Sequence, residues 1–143
     1  MPQIEYVVLA DYVRQDAGLT HIMAAGLDTF TLPPDRLPAA VPVGVAVRIT
    51  FDSRDQVGSE HQLRLAFSPV EGDDLLVASS SFPTPPAPPG VPDHWRTALS
   101  VAFRLALPLP ALGNYRLTVT LDDNPLQARS IDVRAISAAA PQR

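Results

Sequence analysis

Asp11 and Asp28 each stand alone in an apolar run within "ADYVRQDAGLTHIMAAGLDTF", residues 10–30. Two carboxylates that converge on one substrate can act as general acid and base. The run itself argues against that use. With Asp16-Ala17-Gly18 as a three-residue hairpin loop and Gly18 in the left-handed position, Gln15 faces Leu19. Tyr6 then meets Asp28, Val8 meets Gly26, Ala10 meets Ala24 and Asp11 meets Met23, with His21 on its diagonal. This register sets the two acids on opposite faces, far apart along the ribbon. Both are expected to be structural, Asp11 bonded to His21 or a backbone amide and Asp28 capping a strand end.

The three histidines, His21, His61 and His94, fall on different predicted elements, and none has the spacing of a short metal motif. Glu71, Asp73 and Asp74, like Asp122 and Asp123, could in principle hold calcium. Both groups fall at turns, where Asp serves the local backbone, and neither follows the EF-hand loop. There is no Gly-X-Ser-X-Gly elbow, and the seven scattered glycines form no phosphate-cradling loop. No catalytic, metal-ligating or cofactor-binding residue is therefore expected, and no cofactor. One stretch has the make-up of a contact surface: in "PPGVPDHWRT", Asp93, His94, Trp95 and Arg96 follow a stiff proline segment. Trp and Arg are enriched at interface hot spots, and a pre-set chain loses little entropy on binding. The competing reading folds Trp95 back to plug an open end of the core.

The elements that must position these residues are short and alternate with period two. In "GVAVRITFD", Val45, Val47, Ile49 and Phe51 face one way and Arg48, Thr50 and Asp52 the other. "QLRLAFS", "TALSVAFRLAL" and "YRLTVTLD" repeat the pattern. A helix would scatter each set around its girth, whereas a pleated strand gathers it on one side. The pattern predicts about eight strands, near 4–14, 19–30, 42–52, 61–69, 74–82, 96–107, 114–122 and 127–135. Residues 33–42 and 83–93 are predicted as proline-rich loops. The second of these is predicted as an extended crossover loop, because proline cannot donate to a ladder. Residues 136–143 are expected to form a flexible tail. Turn signals every 8 to 15 residues predict an all-β fold, an immunoglobulin-like antiparallel β-sandwich in one domain over 1–143. In "ALGNYRL", Gly113 and Tyr115 open a strand. Tyr115 is placed to bond its hydroxyl to nearby backbone, as at the tyrosine corner of such sandwiches.

With 143 residues the chain can bury a proper core. Its net charge of -4 lacks the basic stripe of a nucleic-acid binder. All eleven basic residues are arginine, the mark of a GC-rich genome. Cysteine is absent, which excludes disulfides and thiolate chemistry and fits a reducing compartment. No signal-like start and no run of ~20 apolar residues is present. A cytoplasmic protein without membrane contact is expected.

"YVVLADYV", followed by "HIMAAGLDTF" and later by "LPLPALGNYRLTVTLDD", resembles a group of uncharacterised bacterial proteins, a domain of unknown function. Its marks are a Leu-Ala-Asp-Tyr strand, a Gly-x-x-Asp-Thr ending and a late Gly-x-Tyr strand. The resemblance spans Ile4 to about Val133. It implies a small β-sandwich with no assigned activity and carries over no catalytic residue. The sequence thus points to a non-catalytic protein-binding or structural module whose partner is another protein or a second copy, a homodimer. A small-molecule ligand is not expected. Two alternatives stand beside it: a ligand-binding or hydrolytic domain with a site near residues 83–96, and a connector subunit of a larger assembly.

Overall fold

The computed structural model describes residues 1–16, 19–52, 54–92 and 97–138. Among these residues ten strands run in order: β1 (Gln3–Ala10), β2 (Tyr12–Asp16), β3 (Leu19–Met23), β4 (Thr29–Leu32), β5 (Ala39–Phe51), β6 (Glu60–Pro69), β7 (Leu76–Pro83), β8 (Thr97–Leu109), β9 (Gly113–Leu121) and β10 (Ala128–Ser137). They form a three-stranded sheet, β1-β5-β8, a five-stranded sheet, β4-β10-β9-β6-β7, and the hairpin β2-β3. The fold is all-β, and among the described residues no helix is long and apolar enough to cross a membrane.

The alternation read from the sequence sets the core. Val43, Val45, Val47, Ile49 and Phe51 of β5 point inward and meet Leu63, Leu65 and Phe67 of β6 and Leu117, Val119 and Leu121 of β9 in one buried cluster. Burying each such side chain contributes roughly 1.5–3 kcal/mol of transfer free energy. Pro42 is tolerated in a thirteen-residue strand because β1 pairs only with residues 44–50 of β5. Proline therefore falls where β5 has no neighbour on the β1 side.

The first two predicted strands each divide. The chain bends at Asp11, between β1 and β2, and turns again over residues 24–28, with Ala24 at φ 55° and Gly26 at φ 81°. β1 does not pair with the segment that follows it; it pairs antiparallel with β5, so Tyr6 lies opposite Arg48 rather than Asp28. The hairpin register is also one residue away from the expected one. Tyr12 meets Met23, Arg14 meets His21, and Asp16 meets Leu19. Only two residues separate the strands, and a one-residue slip exchanges the faces. β4 pairs with β10 in parallel, so the five-stranded sheet is mixed rather than antiparallel. β10 runs on through Ser137, into the segment expected to be a tail, while residues 139–143 and Gly18 lie outside the described residues.

The division at Asp11 has a packing cause. β2-β3 folds over the outer face of the three-stranded sheet, where Val13 is buried against Ala10 and Ala46, with Ile22 and Ala102 packed beside them. This floor is made of small residues so that a second layer can approach. At Gly44 an added Cβ would lie 2.6 Å from both the Val13 backbone nitrogen and its Cγ2. The same cover explains why Val43 to Val47 are buried without a break: β5 is sheltered on both faces. Gly44→Ala is expected to cost about 1–3 kcal/mol by overpacking, read as a lower urea midpoint and faster amide exchange at Val13 and Ile22. An unchanged midpoint would contradict this seating.

Candidate functional site

The most polar constellation near the core joins three segments. His61, at the start of β6, places Nδ1 2.7 Å from a carboxylate oxygen of Asp122 and Nε2 2.7 Å from the Thr84 hydroxyl. The carboxylate only accepts, so Nδ1 carries a proton, while the Thr84 hydroxyl that partners Nε2 also reaches Ser59 O at 3.4 Å. The other Asp122 oxygen accepts from the Gln62 amide at 2.8 Å. The imidazole lies beside Phe51 and Phe82, with ring centroids 5.7 and 5.8 Å away. An Asp–His–hydroxyl chain has the outline of an activated nucleophile. Two features set it apart from one. Thr84 is only 3% exposed, so its oxygen meets no substrate. The neighbouring amides are also engaged: Gly58 N–H bonds Thr84 O, Thr84 N–H bonds Ser59 O, and Ser59 N–H bonds Gln56 O. None is free to stabilise an oxyanion. The chain is built as a polar strut that ties β6, the turn after β9 and the segment after β7 across one end of the core.

Asp11 and Asp28 are both exposed. Asp28 accepts from the Thr29 hydroxyl at 3.0 Å, and its backbone carbonyl accepts from Arg134 N–H at 2.8 Å. Asp11 donates its amide to Met23 O at 3.1 Å, and its carboxylate does not meet His21, which pairs across from Arg14. Among the described residues no group of three or more His, Asp or Glu side chains is placed to hold a metal ion. Gly113, at φ 147°, opens β9. The Tyr115 hydroxyl donates to Ala111 O at 2.5 Å, and the ring stacks on Phe67 with centroids 5.2 Å apart. At the end of β5 the Arg54 backbone N–H lowers the Asp52 carboxyl below its ordinary pKa. Asp93, His94, Trp95 and Arg96 lie outside the described residues. A cleft of 370 Å³ is lined by Arg48, Pro85, Pro86, Pro88, Val91, Thr97 and Ala98. Among the described residues that line it, the charged one, Arg48, is already held by Glu5 at 2.6 Å.

The edges of the two large sheets differ. β4 has only four residues. β1 is bulged between Ile4 and Tyr6, and its Leu9 carbonyl accepts from the amides of Gly26 and Leu27. β7 has eight residues and ends on Pro83. Short strands, bulges and prolines are the usual protections of an edge. β8 has thirteen residues, ends its sheet, and carries one charge, Arg104. That guanidinium is turned onto the hairpin: it donates to Val13 O at 3.2 Å and to the Tyr12 hydroxyl at 2.6 Å and lies 4.7 Å from the Tyr12 ring centroid. Gln15 of the hairpin also donates to Ser100 O. Leu99, Val101 and Leu105 stand half-buried along the strand.

Among the described residues these features define an all-β fold with two large sheets around one core, a hairpin clasped to the outer face of the smaller sheet, and a long edge strand, β8, that the hairpin touches at Ser100. The chain belongs to DUF6941, a family of unknown function, which matches residues 5–134. No curated protein matches the chain.

Proposed function

We propose that this protein is a non-catalytic, protein-binding β-sandwich of immunoglobulin-like type whose β8 edge accepts a strand from a partner. The sandwich reading is supported by the shared core of the two large sheets and by the Tyr115 hydroxyl bonded back to Ala111. The observation that carries the binding reading is β8 itself, thirteen residues at the end of a sheet, on whose outer side Gln15 takes one carbonyl, Ser100 O. Such an edge presents unpaired N–H and C=O groups. Strand addition satisfies them, and half-buried side chains alongside supply the apolar contact.

Amide exchange on the dilute monomer tests this. Alternate β8 amides, those bonded to β5, are expected to exchange only through opening of the sheet. The set between them is expected to exchange at rates near those of unpaired amides. Uniform protection of all β8 amides in the monomer would mean that the chain covers this edge itself, and the binding reading would fall.

A further inference from the structure

We propose that the occupant of this edge is β8 of a second copy, running antiparallel about a twofold axis perpendicular to the sheet, so that the two three-stranded sheets join as one of six strands. This rests on the reading of β8 as a strand-accepting edge. Full overlap of Thr97–Leu109 with itself pairs residues whose numbers sum to 206, with the axis passing between the two copies of Phe103. Inward-facing residues then meet inward-facing ones, Val101 opposite Leu105 and Leu99 opposite Leu107. The half-buried rim of each copy is covered by the other.

Two observations favour a copy of this chain over a foreign strand. Arg104 lies opposite Ala102 rather than opposite its own copy, and each guanidinium is drawn away from the axis onto its own Tyr12. β8 holds no acidic residue, so a chain of net charge -4 presents its copy with a strip free of the repelling charge found elsewhere. Once Gln15 releases Ser100 O, an antiparallel ladder of this length supplies on the order of ten backbone hydrogen bonds, the number a standard protein interface carries. Pro108, which has no N–H, falls opposite Ala98 near the end of the ladder, where a missing donor matters least.

The absence of cysteine makes the test direct. In the double variant S100C/A106C, each thiol faces the other thiol of the partner copy, within the reach of a disulfide. Within one chain the two positions are roughly 20 Å apart along the strand, which no disulfide spans. Mild oxidation is expected to convert the double variant to a covalent dimer, while S100C alone and A106C alone remain monomeric on a non-reducing gel. Sedimentation of the parent protein is expected to give twice the chain mass at high concentration. A parent that sediments as a monomer at every concentration overturns self-pairing. If its alternate β8 amides still exchange freely, the strand-accepting reading stands with a foreign strand as occupant. A dimer in which S100C/A106C fails to bridge overturns the register and with it this interface.

Discussion

Phe67→Ala lowers the stability of the fold by about 3–5 kcal/mol, and the melting temperature by on the order of 10 °C. Phe67 is fully buried in β6, between Leu76 of β7 and Leu117 of β9. Its ring lies nearly parallel to that of Tyr115, with an interplanar angle of 11°. Tyr115 is itself fixed at both ends, by that stack and by its hydroxyl on Ala111. Truncation therefore removes more than one side chain's contacts. It leaves a cavity that two central strands cannot close, and it frees the ring that pins the start of β9. Leu126→Ala is the control, because that leucine is 82% exposed and its loss is expected to fall within about 0.5 kcal/mol. Thermal and urea unfolding of both variants check the pair; comparable losses at the two positions would contradict this account of the core.

The second large effect is expected at Asp122. Asp122→Ala removes the acceptor of His61 Nδ1 and of the Gln62 amide together. It also leaves alanine at φ 53°, a left-handed conformation that Asp and Asn tolerate better. An imidazole N–H stranded between Phe51 and Phe82 costs about 1–3 kcal/mol, and the backbone conformation adds about 1 kcal/mol. The expected total is about 2–4 kcal/mol in a denaturant titration. Asp122→Asn keeps a carbonyl acceptor and a tolerated conformation and is expected to recover more than half of that loss. An alanine variant as stable as the asparagine variant would show that the His61 strut contributes nothing.

The core was legible because burial on one side writes itself as alternation. From Val43 to Phe51, Leu63 to Phe67 and Tyr115 to Leu121 the inward set follows period two, as the pleat requires. The all-β class was legible for the same reason, and the family resemblance from particular motifs, the Leu-Ala-Asp-Tyr strand, the Gly-x-x-Asp-Thr ending and the late Gly-x-Tyr strand. What alternation does not record is where a strand leaves its sheet. "VVLADYVRQ" keeps its rhythm straight through Asp11, although the ribbon leaves its sheet there and folds over that sheet's outer face. The cue lay in Gly44, Ala46 and Ala102, a run of small residues on two distant strands that makes sense only under a second layer. Parity also cannot say whether neighbours run parallel, so β4 beside β10 went unread. The His61 strut was illegible for a different reason. Its partners are 23 and 61 residues away, and no spacing rule links residues that meet only once both sheets exist.

The parallel pairing of β4 with β10 sets a schedule for biosynthesis. Phe30 bonds beside Ala135, so roughly a hundred residues must be added before β4 finds its ladder, about 5–20 s at ordinary elongation rates. β1 and β5 can already associate while the later strands are still being made. The nascent polypeptide therefore leaves the ribosome with Thr29–Leu32 waiting, and the last long strand to be translated is the one that fastens an early piece of the chain in place.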